Sequence, residues 1–146
     1  MVADAIAGKL GCAVEELIDT RRRTGLVGTI RAAIDAWRGR LTVLAPIRHQ
    51  PSEYDLIVVG SPVWDLRLPP AIRTYLASYR TELPQVAFFC TEATAGAGRV
   101  FTEMTTVGGR APLAVLAVHA DEVARSAYLR DVGEFVDEIE QTRAAA

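Results

Sequence analysis

Tyr54-Asp55-Leu56-Ile57-Val58-Val59-Gly60-Ser61-Pro62-Val63-Trp64 is the stretch whose reading decides the fold. Leu56 to Val59 form an unbroken apolar run. A strand with one wet face alternates; a continuous run suits a strand covered on both faces, as in a parallel α/β sheet. Gly60 reads as freeing the backbone to turn, with Ser61-Pro62 fixing the exit. Doubly wound sheets bind ligands at the carboxyl ends of their strands, and Trp64 stands at that place.

The pattern extends in both directions from this strand. On the amino side, Val2, Ala5, Ile6 and Leu10 make a helical stripe. Ala13 to Ile18 predicts a short strand, and Glu15 and Glu16 mark it as an edge strand. Arg21 to Gly28 reads as a polar loop, and Ile30, Ala33, Ile34 and Trp37 have the i, i+3, i+4, i+7 spacing of a helix. Gly39 to Ser52 reads as a connector. On the carboxyl side, Leu68-Pro69-Pro70 opens a helix whose stripe is Ile72, Tyr75, Leu76 and Tyr79. Val86 to Cys90 predicts a second apolar strand, Thr91 to Gly98 a small-residue loop, and Val100 to Val107 a helix. Leu113 to Val118 predicts a third core strand. Asp121-Glu122 reads as capping ahead of a last amphipathic helix marked by Tyr128, Val132, Phe135, Val136 and Ile139. Such alternation predicts a three-layer α/β sandwich with helices on both faces of a parallel sheet, in one domain over 1–146.

Composition narrows the function classes. The chain has 146 residues, half of them apolar, and no apolar run approaches the roughly 20 residues that span a bilayer. Its first ten residues lack a basic head followed by an apolar block, so a cytoplasmic protein is expected. The formal charge of −2 argues against a nucleic-acid binder. Neither nucleic acid nor membrane is an expected partner. Cys12 and Cys90 have no metal-ligand spacing and read as two buried thiols. No metal set, Ser-His-Asp order or Walker loop emerges. His49 and His119 read as surface or loop residues.

Tyr54 to Trp64 resembles the second flavin-binding loop of the flavodoxin family. Phe88-Phe89-Cys90-Thr91-Glu92-Ala93-Thr94-Ala95-Gly96-Ala97-Gly98 resembles its third. The resemblance implies a flavodoxin-like fold, FMN as cofactor, and an oxidoreductase or electron-transfer role. By it Ser61, Pro62, Val63 and Trp64 flank the flavin ring, with the Trp64 ring stacking on it. Asp65 lies beside the flavin N5 by the same resemblance, and Thr91, Glu92, Ala93 and Gly96 offer backbone contacts on the other side. The flavin supplies the chemistry and the protein supplies position. No residue reads as a dedicated acid or base, so enzymatic activity is left open. The implied partners are the flavin and a protein redox partner, and a homodimer is compatible with the pattern.

Three departures accompany the resemblance. The family opens with an apolar strand and a Ser/Thr-rich phosphate loop ahead of the first helix; neither is present in this sequence. The third loop carries Ala93-Thr94-Ala95-Gly96 where relatives carry a Gly-Gly-Ser-Gly type run. Asp65-Leu66 stands where relatives have Ala-Gly, and an anion beside N5 would lower the flavin potential. In the order 2-1-3-4-5 the absent strand is the central one. A collapsed four-stranded sheet is one answer, with Ala13 to Ile18 closing by about 4.8 Å onto Leu56 to Val59. A strand from a partner chain is another. The third, which we favour from sequence, is a start codon set inside a longer natural protein. The competing functional class is a flavin-free scaffold, followed by an NAD(P)H-dependent quinone or azo reductase. Arg21-Arg22-Arg23-Thr24-Gly25 reads as a solvated loop, with phosphate or acidic-partner contact as its alternative.

Overall fold

A computed structural model describes residues 1–20, 41–63, 65–93 and 95–145. The helix expected at Ile30 to Trp37 and the loop from Arg21 to Gly28 lie outside the described residues. Helix α1 (Val2–Leu10) opens the chain, and a single 3-10 turn (Pro51–Glu53) leads into strand β1 (Leu56–Pro62). Helix α2 (Pro70–Ser78), strand β2 (Gln85–Glu92), helix α3 (Ala97–Gly108) and strand β3 (Pro112–His119) then alternate. The short helix α4 (Ala120–Ala124) and the long helix α5 (Tyr128–Ala144) close the chain.

The three strands form one parallel sheet in the order β1-β2-β3. Period-two alternation sends successive side chains to opposite faces. Ile57, Val59, Val86 and Phe88 pack against α2 and α3, together with Leu76, Val100 and Met104. Leu56, Val58, Ala87 and Phe89 pack toward α1 and α5, with Ile6, Val132 and Ile139. Both faces are covered along β1 and β2, but β3 buries one face only. Ala114, Leu116 and Val118 are buried while Val115 and Ala117 are exposed, so the apolar run at Leu113 to Val118 is half covered and not dry on both sides. The expected three-layer α/β sandwich is what the chain adopts.

Several local expectations need correction. Residues 13–18 form no strand; among the described residues the pairing nearby is an isolated antiparallel bridge between Asp19 and Leu44. Glu15 turns away from a ladder and accepts the backbone N–H groups of Arg48 and His49 at 2.7 and 3.0 Å. Val14 and Ile18 are left about half exposed. Among the described residues no strand lies alongside to complete a ladder, so the backbone there gains nothing from extending flat.

Gly60 is a second correction. The strand runs straight through it to Pro62, so its service is space and not a turn. Phe89 faces Gly60 in the register, and its ring fills the volume a Cβ would need. Third, Asp121 and Glu122 belong to α4 and not to the approach to α5. Glu122 accepts the backbone N–H of His119 at 2.8 Å, closing a capping box on α4. Last, Cys12 is exposed while Cys90 is buried, and burial pushes the Cys90 thiol up to about 12, with the Glu92 charge adding to it.

Among the described residues, no helix is long and apolar enough to cross a membrane. None of their His, Cys, Asp and Glu side chains gather into a group that could hold a metal ion.

Candidate functional site

The carboxyl ends of β1 and β2 lie side by side, because Pro62 pairs with Thr91. The Val63 N–H continues the ladder one step further, donating to the Thr91 carbonyl at 2.8 Å. The two loops expected to flank a ligand thus leave the sheet from adjacent strands. Ser61 is buried at the end of β1, its hydroxyl turned onto the Pro62 carbonyl at 2.9 Å. Trp64, the aromatic of the first loop, lies outside the described residues, as does Thr94 of the second.

Past Val63 the backbone is strained. Asp65 and Leu66 both have left-handed φ, 51° and 61°. Asp tolerates this region, since its short side chain bonds locally, but Leu does not; such a residue costs of order 1–3 kcal/mol. The strain is held by α3. Glu103 accepts the Leu68 N–H at 3.1 Å through one oxygen and the Arg73 guanidinium through the other. Arg73 and Glu103 are both largely buried, and burial, followed by the nearby Arg67 charge, holds the Arg73 pKa below its usual value. The Arg73 Nε is buried without a hydrogen-bond partner.

The second loop is closed by Glu92. Its buried carboxylate accepts the Ala97 N–H at 2.8 Å, so the last residue of β2 caps the first turn of α3. The other carboxylate oxygen lies 3.7 Å from His119 Nε2 at the end of β3. The side chain of Glu92 therefore organises the loop, where sequence had suggested only a backbone contact. Ala93 follows it, and Gly96 carries φ 123°. A Cβ on Gly96 would stand 2.9 Å from Val63 Cγ1 and 3.0 Å from Leu66 Cδ2. Only glycine lets the two loops meet there.

Ser61, Pro62, Val63, Asp65, Thr91, Glu92, Ala93 and Gly96 thus gather at one end of the sheet. The anion end is different. The terminal ammonium at the start of α1 is paired with Asp4 at 2.5 Å, which lowers the Asp4 pKa through that hydrogen bond and its charge. A phosphate would have to compete with that carboxylate. The amino terminus of α3 is likewise occupied by Glu92. Small residues and a strand-end location fit the flat edge of a flavin; the described residues offer no cradle for its phosphate.

Sequence reasoning missed Glu103 and Arg73. The signal was present: Val100, Glu103, Met104 and Val107 share one helical stripe, and a charge on a buried stripe implies a buried partner.

No protein-family model matches the chain, and no curated protein matches it in sequence. Solved structures do match. A flavoprotein from Lactobacillus acidophilus in complex with FMN superposes with a TM-score of 0.64 at 23% identity, over 85% of this chain and 87% of that one. A provisionally assigned flavoprotein from Bacteroides eggerthii matches with a TM-score of 0.64 at 15% identity, over 90% and 88%. Another, from Bacteroides uniformis, matches with a TM-score of 0.62 at 18% identity, over 82% and 81%. At these identities the likeness speaks for the fold, which is the flavodoxin-like α/β sandwich.

Proposed function

We propose that the chain is a flavin-binding protein that takes FMN at the carboxyl ends of β1 and β2 and serves in electron transfer. One observation carries the reading. The loop after β1 and the small-residue loop after β2 leave adjacent parallel strands and converge there, in a fold shared with a protein crystallised with FMN. Ligands of such sheets sit outside the strand ends. Pro62, Val63 and Asp65 would face the ring from one loop, with Ala93 and Gly96 on the other side of it. Bound flavin supplies one- and two-electron chemistry. Ser61, Glu92 and Glu103 position the loops, and no described side chain is placed as an acid or base.

Among the described residues Glu92 already caps the start of α3, and this reading places recognition on the ring. Riboflavin should then bind within a few-fold of FMN. Fluorescence titration of both into the folded chain, checked by circular dichroism, tests this. Quenching that saturates at micromolar concentration for both supports the reading. A folded chain that quenches neither removes it.

A second reading has its own support. The loops already touch, Gly96 against Val63 and Leu66, as they would in a flavin-free scaffold used for protein contacts. A colourless folded protein with no flavin affinity is the result that favours it.

A further inference from the structure

Leu66 has a backbone that its side chain does not suit. Asp65 and Leu66 are consecutive left-handed residues, with φ of 51° and 61°. Turns built on such residues select glycine, asparagine or aspartate, so Asp65 fits the geometry and Leu66 does not. Burial does little to offset the strain, because Leu66 is 47% exposed. Nor can the segment shed it by sliding. Before the turn, the Val63 N–H is fixed to the Thr91 carbonyl at 2.8 Å. After it, Leu68 is fully buried and its N–H is fixed to Glu103 at 3.1 Å. Strain clamped from both sides at a strand end is a mark of function.

Its consequence lies across the site, at Gly96. A Cβ on Gly96 would stand 2.9 Å from Val63 Cγ1 and 3.3 Å from Leu66 Cα. A carbon–carbon bond is about 1.5 Å, so the Gly96 Cα is itself within about 5 Å of both atoms. A planar ring between the loops needs about 3.5–4.0 Å to carbon on each side, a slot of about 7 Å or more. The left-handed turn therefore holds Val63 and Leu66 where one face of the ring would lie. The loops must part by about 2–3 Å before a ring enters.

We propose that Leu66 is a positioning residue that sets flavin affinity through its backbone: the strained turn latches the two loops together and relaxes to negative φ as the ring enters. The inference rests on the flavin reading given above and adds its control element. The ring selects the relaxed form, so apparent affinity scales with the fraction of chains in that form. Residue 66 then sets affinity by its tolerance of the left-handed region. Glycine enters that region freely and favours the latch. Alanine keeps the Cβ that makes the region costly. Isoleucine, being β-branched, is less suited to it still.

The test is fluorescence titration of FMN into wild type, Leu66→Gly, Leu66→Ala and Leu66→Ile, each shown to be folded by circular dichroism. Leu66→Gly should bind FMN roughly tenfold more weakly, the strain of one left-handed residue expressed as an equilibrium ratio. Leu66→Ala should stay within about twofold of wild type, and Leu66→Ile should bind no more weakly. In the wild-type protein, the backbone coupling constant and Cα chemical shift of residue 66 should change on saturation with FMN, as φ changes sign. A side-chain contact with the ring would instead make Leu66→Ala as weak as Leu66→Gly, and that result overturns the proposal. So does a Leu66→Gly chain that binds FMN as tightly as wild type, or a residue 66 whose coupling and shift stay fixed. Each of those leaves flavin binding itself standing. Absence of quenching in all four folded chains removes the flavin reading and the latch together.

Discussion

The ring of Phe89 lies over Gly60 so closely that a Cβ on that glycine would stand 2.1 Å from Cζ and 2.3 Å from Cε1. The two residues are register partners on adjacent strands. A cross-strand pair of this kind is a knob in a hole, and the hole is the missing side chain. It seats an aromatic ring on the α1 side of the sheet, next to Leu56 and Val58.

Gly60→Ala should therefore destabilise the fold by about 1–3 kcal/mol, the usual cost of overpacking. In a Phe89→Ala background the same substitution should be close to neutral, because the ring it would meet is gone. Urea unfolding of the four proteins in a double-mutant cycle reads the coupling directly. Equal cost of Gly60→Ala in both backgrounds would show that the glycine serves the backbone and not the ring.

Glu103 joins α3 to the strained loop after β1, through Arg73 and the Leu68 N–H. Removing one partner of a largely buried pair strands the other charge, so Glu103→Ala should cost roughly 3 kcal/mol or more. Replacing both, Arg73→Met with Glu103→Leu, should recover most of that loss. Thermal denaturation of the single and double variants decides it. A double variant as unstable as Glu103→Ala would mean that the Leu68 contact, and not the buried charge, dominates.

Glu15 gives an acid dependence with a defined sign. Burial alone would raise its pKa, but the N–H groups of Arg48 and His49, aided by their charges, outweigh it and the net shift is downward. A carboxylate with a depressed folded pKa contributes stability that is fully present above its unfolded value, about 4.3. That contribution is lost as pH falls through the folded value. Glu15→Gln should cost about 1–2 kcal/mol at pH 7, and the gap from wild type should narrow markedly by about pH 3, below the unfolded value. Urea midpoints at the two pH values measure it. A gap of the same size at both would place the effect in packing.

Local pattern carried much of this structure. The runs at Leu56 to Val59, Val86 to Cys90 and Leu113 to Val118 became the three strands, and the stripes beginning at Val2, Ile72 and Tyr128 became helices packed on them. These readings succeeded because apolar content along a strand, or along one side of a helix, is written directly into residue spacing, although it did not foresee that Val115 and Ala117 leave one face of β3 exposed. Ala13 to Ile18 failed because a strand exists only where another edge completes its hydrogen bonds, and spacing within one segment does not report its neighbour.

The candidate site divides the same way. The sequence by itself determined that a Gly-Ser-Pro segment ending in Trp64 would follow the first strand and that a small-residue loop, Thr91 to Gly98, would follow the second. Tertiary structure alone decided how those loops are held. Glu92 reaches forward to Ala97, Glu103 reaches back to Leu68 and Arg73, and Gly96 makes room for Val63 and Leu66. It also decided that, among the described residues, β1 pairs with β2 alone. The physical reason is range. Helix and strand periodicity act between residues a few positions apart, whereas a buried carboxylate or the pairing of a strand depends on what the folded chain brings beside it from far along the sequence.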